Sequence, residues 1–306
     1  MFCGFVYHYS MPVFYGVIFF VAGIAMGSFL NVLSLRYNPE AAIFAKKVVG
    51  GRSHCRNCAK TLTPFELIPV LSFLIQRGKC RNCSARLLWQ YPIVEFLTGV
   101  YFATVPFFFS GFYKFFPALA FGTTAFWMMV FLWLLIGSAL ILLAAIDVRL
   151  TIIPDQITLF LLVLGIFVTG LQNGLGVFGS FSGSFLGSGA AIFGIRNNIW
   201  MNHLFAAFIG FVAFGIVWGL TRGRGMGFGD VKLAGALGMI LGWPDILGAL
   251  LLAVISGAIV GLLLIALKRK KFKEGVPFGP FLVWGLFLIL FFGKTILLGY
   301  FSVFGL

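Results

Sequence analysis

Long apolar runs separated by short polar loops fill most of the chain, and their lengths set the expected architecture. A helix needs roughly 20 apolar residues to cross the hydrocarbon core of a bilayer. By that measure the pattern predicts spans over 12–35, 91–109, 119–146, 157–171, 204–220, 231–241, 246–267 and 281–298. The sixth run is short and needs its neighbours to cover it. Helices are expected because a helix satisfies its own backbone hydrogen bonds in lipid. The predicted fold is therefore an all-α polytopic membrane protein of about eight transmembrane helices. Only 36–90 reads like a water-exposed segment. It divides the chain into a first transmembrane helix (1–35), a loop (36–90) and a transmembrane core (91–306).

Composition agrees with the pattern, and charge adds an orientation. The 306 residues are 61% hydrophobic and 10% charged, with a mean hydropathy of +1.06. A net charge of +14 would suggest nucleic acid in a soluble protein, but here the basic residues sit in loops. The face carrying 36–90, 147–156, 221–230 and 268–280, together with Lys232, holds 19 of the 22 Lys and Arg. The others are Lys114, Arg196 and Lys294. The positive-inside rule makes that face cytoplasmic and puts both termini outside. It also removes the need for a nucleic-acid partner. Residues 1–10 lack a basic leader region, and the apolar run that follows is long enough to stay as a span, so a cleaved signal peptide is not expected.

Within 36–90 stand Cys55-Arg56-Asn57-Cys58 and Cys80-Arg81-Asn82-Cys83. Two Cys-x-x-Cys knuckles at this separation are close to zinc-ribbon spacing, and four thiolates suit tetrahedral zinc with no open position. The alternative is two disulfides, which a reducing cytoplasm disfavours. The expectation is a small cytoplasmic zinc-ribbon-like loop, folded largely by its metal. Cys3 takes no role, and His54 is expected at the surface. Between the knuckles, 64–74 is apolar but proline-broken, and suits the membrane interface.

The chain has eight carboxylates, and several lie where a charge is costly. Gly225-Met226-Gly227-Phe228-Gly229-Asp230 leads straight into an apolar run, and Asp147 closes another. The bland reading of Asp230 is a helix cap. Asp155 follows Pro154 and suits an N-cap. Glu95 lies about one turn into a span, where snorkelling and a functional role are both open. Asn31 is polar in the first span and wants a partner, whereas Gly27 and Ser28 are read as small packing residues. His203 is expected at the interface, and 172–203 as a Gly/Ser/Phe-rich outer loop. Asp147 and Asp230 fall at one depth on the cytoplasmic side. Two carboxylates that share a proton can activate water with one member and protonate a leaving amine with the other.

These residues carry a resemblance. Gly227-Phe228-Gly229-Asp230 resembles the GxGD motif of intramembrane aspartyl proteases. The wider set resembles type IV prepilin peptidases, the prepilin leader peptidase/N-methyltransferases: 27–32, the paired Cys-x-x-Cys, 67–69, 91–95, Asp147 with 153–155, 225–233 and 277–280. The chain departs from that pattern in the long loop 172–203 and at Phe65-Glu66-Leu67, where an acidic-Asn pair would precede Ile68. The resemblance implies a bifunctional enzyme of the bacterial cytoplasmic (inner) membrane, with its active site facing the cytoplasm. It would cut the basic leader of prepilins or pseudopilins after a glycine, with Asp147 and Asp230 catalytic and Gly227, Gly229 and Asp155 in support. It would then methylate the new N-terminal residue with S-adenosylmethionine, for which Glu66, Glu95 and Asn31 are the candidate binding residues. Two other readings compete. An ion-coupled transporter would place carboxylates near the bilayer midplane in repeated halves, and the sequence has neither. An assembly factor would use the cysteines and leave both aspartates unexplained.

Overall fold

The computed structural model describes residues 12–40, 42–43, 45–112, 122–176, 184–186, 198–268 and 276–304. All its regular elements are helical: α1 (Val13–Arg36), α2 (Lys46–Val49), a single 3-10 turn (Pro64–Leu67), α3 (Leu71–Ile75), α4 (Gln90–Phe112), α5 (Thr124–Leu150), α6 (Asp155–Gly174), α7 (Ile199–Thr221), α8 (Phe228–Leu241), α9 (Asp245–Ala266) and α10 (Gly279–Phe304). Among the described residues, seven helices are long and apolar enough to cross a membrane. The remaining predicted span, the sixth, is α8. Its 14 residues extend about 21 Å at 1.5 Å per residue, short of a bilayer core of about 30 Å. From Val231 to Leu241 it is buried except at Lys232, so neighbouring helices cover it as its length requires.

The chain divides into two compact units, and the division falls within α1 and α5: one holds 1–31 and 52–138, the other 32–51 and 139–306. Residues 36–51 thus group with the transmembrane core and not with the cysteine segment, unlike the expected single block 36–90. Arg149 gives a reason. Its guanidinium donates to the carbonyls of Leu35 (2.6 Å) and Tyr37 (2.8 Å), and the Gln156 side chain accepts from the Ile43 amide at 2.8 Å.

In the first unit α1 packs tightly on α4. A Cβ added to Gly27 would lie 2.6 Å from the Cα of Glu95, and one added to Gly23 2.8 Å from the Cα of Gly99. Small residues permit that approach, as expected for Gly27. The Tyr101 hydroxyl donates to the Trp133 carbonyl at 2.5 Å, tying α4 to α5.

In the second unit α8 lies against α6 and α7, and α9 pairs with α10. At the end of α8 opposite Asp230, Asn202 exchanges two hydrogen bonds with the Trp243 backbone (2.8 and 2.9 Å). His203 bonds the Met239 carbonyl at 2.8 Å and is buried. That corrects the expected interfacial His203: α7 begins at Ile199, so His203 is already one turn inside. Asp245 is also fully buried. It accepts from the Ser184 hydroxyl (2.6 Å) and from the amides of Phe185 (2.8 Å) and Leu186 (3.4 Å), holding this piece of the 172–203 segment. The rest of that Gly/Ser-rich stretch, 177–183 and 187–197, lies outside the described residues, as do Cys3, Lys114, Arg196 and 269–275.

Candidate functional site

Two carboxylates in the second unit are drawn in by backbone amides. Asp147, near the end of α5, is 4% exposed, and its Oδ2 accepts from the Gly279 amide at 2.9 Å. The start of α10 therefore takes part in placing Asp147. Its first helical residue presents an orphan N–H, as helix starts do, to an anion from another helix. Asp230 is 7% exposed and occupies the first turn of α8. Its Oδ2 accepts from the Gly227 amide at 3.1 Å, and its own amide donates to the Gly227 carbonyl at 3.1 Å. The capping role is thus real, through Gly227, and it leaves the other carboxylate oxygen for further use. Asp230 lies within electrostatic reach of Asp147. Gly229 admits the 151–154 connection, since a Cβ there would lie 2.9 Å from the Cβ of Ile153.

Asp155 differs from expectation. Pro154 is the N-cap of α6, and Asp155 is its first helical residue with no side-chain cap bond. Its carboxylate pairs instead with Lys232. The reason is tertiary: α8 passes α6, and Lys232 reaches across at its first turn.

The four cysteines of the first unit come together. Their sulfurs all lie within 4.8 Å of one another, and the group could hold a metal ion. All four are free thiols, and Cys55 Sγ to Cys83 Sγ is 3.8 Å, far beyond a disulfide's length of about 2.05 Å. It is also the edge of a tetrahedron built on metal–sulfur bonds of about 2.3 Å. The two knuckles are near copies. Cys55 and Cys80 each donate an amide to a carbonyl five residues on, at 2.9 Å, and Ala59 and Ser84 adopt matching positive φ of 55° and 57°. Sequence reasoning passed over Asn57 and Asn82, although the repeated Cys-Arg-Asn-Cys was the signal. Asn57 donates to Cys83 Sγ and Asn82 to Cys58 Sγ, both at 3.6 Å. The Lys60 amide and Asn82 hold the Cys58 thiol down at about 6, and the amides of Cys83 and Asn82 lower Cys80. At Cys58 and Cys80 the thiolate, the metal-binding form, is thereby favoured.

A third cluster gathers at the start of α4. Glu95 is 6% exposed, so it does not snorkel. It accepts from the Val70 amide at 2.7 Å, and the Ser28 side chain lies beside it. Ser28, expected only to pack, is thus a polar partner. Asn31 Nδ2 donates to the Tyr91 carbonyl at 3.0 Å. Among the described residues no Lys, Arg or His pairs with Glu95. Glu66 belongs elsewhere: its carboxylate accepts from the Thr63 amide (2.8 Å) and hydroxyl (2.9 Å), bonds that hold it below the usual carboxylate range.

These features define a polytopic helical membrane protein with a sheltered pair of carboxylates in one unit and a four-thiol centre in the other. Residues 21–109 match the family model for the bacterial peptidase A24 N-terminal domain, and 134–262 that for the type IV leader peptidase family. The chain is 30% identical over 280 residues to a prepilin leader peptidase/N-methyltransferase of Bacillus subtilis, covering 92% of this chain and 95% of that one. It is 31% identical over 307 residues to the protein of the same name from Aeromonas hydrophila, covering 94% of each, and 28% identical over 310 residues to the one from Pseudomonas aeruginosa. No solved structure matches significantly. The chain belongs to the prepilin leader peptidase/N-methyltransferase family.

Proposed function

We propose that this protein removes the basic leader of prepilins or pseudopilins after a glycine and then methylates the exposed N-terminal residue. The observation that carries the peptidase reading is the pair Asp147 and Asp230, each fixed through one oxygen by a backbone amide and each within the other's field. One member, ionised, takes a proton from water as that water attacks the scissile carbonyl; the other, protonated, donates to the leaving amine. The amides of Gly279 and Gly227 hold the carboxylates still, so little reorganisation is needed at the transition state. Lys232 and Asp155 would help register the start of α8 against α6, and Gly229 lets the 151–154 connection close beside Asp230. The substrate's apolar helix stays in lipid while its leader reaches the cytoplasmic edge, which the bias of Lys and Arg assigns to these loops.

S-adenosylmethionine supplies the methyl group when bound. It is a sulfonium with an ammonium group, and a buried carboxylate without a cationic protein partner suits it. Glu95, set by Val70 and Ser28, would face its positive charge, and Asn31 would add a polar contact. Glu66 is engaged by Thr63, which argues against a direct contact from it. Zinc fits the four cysteines by donor type and spacing and would hold 52–89 in shape.

The test is a purified preparation, a peptide with a basic leader ending in Gly before a Phe-led apolar segment, S-adenosylmethionine, and mass spectrometry. Appearance of the trimmed and then the methylated peptide is expected; recovery of intact peptide refutes the reading. Two predictions separate its parts. Glu95→Gln retains an acceptor for the Val70 amide but not the charge, so the KM for S-adenosylmethionine should rise by about 30-fold or more, with leader removal unchanged. An unchanged KM excludes Glu95 from the site. Elemental analysis should find one zinc per chain, lost in Cys58→Ser together with protease resistance of 52–89. Full zinc content in that variant would contradict the four-cysteine assignment.

A further inference from the structure

The 3-10 turn Pro64–Leu67 and helix α3 present apolar side chains outward although they lie outside any span. Phe65, Leu71, Leu74 and Ile75 are 75%, 55%, 62% and 67% exposed, and Trp89 is 71% exposed. A segment held together by four cysteines has no core to spare such residues, and an outward cluster of them marks a contact surface.

Two contacts fix where this surface stands. The amide of Val70, at the N-cap of α3, donates to Glu95, five residues into α4 from Gln90. That is about 7.5 Å along the helix axis. Within α3, the buried Phe73 meets Trp89, the residue before α4, in a tilted ring contact with centroids 5.2 Å apart. Helix α3 is therefore pinned beside the first turns of a membrane-crossing helix, where a bilayer changes from headgroup to hydrocarbon. Ile93, Phe96 and Leu97 in the first turns of α4 are apolar and exposed as well. Charge points to the same partner. Residues 52–89 carry seven Lys and Arg against Glu66 as the one carboxylate, and Glu66 is engaged by Thr63. Arg77, Lys79, Arg81 and Arg86 are all exposed.

We infer that residues 64–75 form a membrane-interface foot, which seats Phe65, Leu71, Leu74 and Ile75 in the headgroup–acyl boundary and binds anionic phospholipid through the basic residues beside them. Apolar burial plus attraction to anionic headgroups is how interfacial helices bind. The foot would hold Val70, and through it Glu95, at a fixed depth.

The test uses the full chain in nanodiscs of phosphatidylcholine and phosphatidylglycerol. Leu74, Ile75 or Phe65 is replaced in turn by p-benzoylphenylalanine, with the exposed Thr61 and His54 as control positions. After irradiation, phospholipid adducts on the protein are counted by mass spectrometry. Adduct yields about fivefold above the controls are expected. Arg77→Gln with Lys79→Gln should cut the phosphatidylglycerol share of those adducts by about half. Yields equal to the controls overturn the proposal, as do adducts dominated by a second copy of the chain or by an added substrate peptide. Each variant must elute as the unmodified protein does; if one fails, either other position carries the test.

Discussion

Asp147→Asn and Asp230→Asn should each lower leader removal by about 1,000-fold, the middle of the range of roughly 100- to 10,000-fold for losing a positioned acid or base. The substitution isolates the chemistry. Asparagine keeps the shape and an oxygen acceptor, so the bonds from the Gly279 amide (2.9 Å) and the Gly227 amide (3.1 Å) can survive. What is lost is the ability to hold and hand over a proton. The double variant should be little worse than either single one, because groups acting as a unit are not additive. Methyl transfer to a peptide supplied already trimmed should persist in all three, since Glu95 and Asn31 belong to other helices. Cleavage within about tenfold of the unmodified protein in either single variant would remove that residue from the mechanism.

The second large effect is expected at Gly279. An added Cβ would sit 2.7 Å from Asp147 Oδ2 and 3.2 Å from Leu143 Cδ2. No real Cβ tolerates the first contact, so in Gly279→Ala the carboxylate must turn away or the start of α10 must shift. Either movement separates Asp147 from the amide that places it. A displacement of about 1 Å costs on the order of 100-fold when geometry supplies the rate, and the loss should appear in kcat for leader removal. Methyl transfer and zinc content should be unchanged. Gly219→Ala in α7 is the control, because nothing lies within 4 Å of its added Cβ. If Gly279→Ala cleaves like the control, the amide does not position Asp147.

Much of the architecture could be read along the chain because it depends on local quantities. Each long apolar run became a helix within a few residues of its predicted ends, and even α8 appears where a short, covered span was expected. The knuckle spacing foretold a four-sulfur cluster. Errors came where a residue's role is set by something distant. Asp155 looked like a cap by its neighbour Pro154 and proved to be half of a pair with Lys232. His203 looked interfacial because the start of α7 was placed too late. Asp245 drew no attention, since nothing near it in sequence predicts Ser184 and Phe185 as partners. The crossed Asn57 and Asn82 donors were visible as a repeat, but their direction depends on how the knuckles face each other.

By itself the sequence determined that the chain is built of membrane-length apolar helices, and which residue types were available for proton transfer and metal binding. Transfer into lipid is a sum over consecutive residues, and knuckle spacing is a local count, so neither needs a fold. Tertiary structure alone decided that a glycine amide 132 residues from Asp147 holds its carboxylate, and that Glu95 turns inward to Val70 and Ser28. Those contacts arise where helices cross, and the crossing is set by packing of side chains from remote parts of the chain.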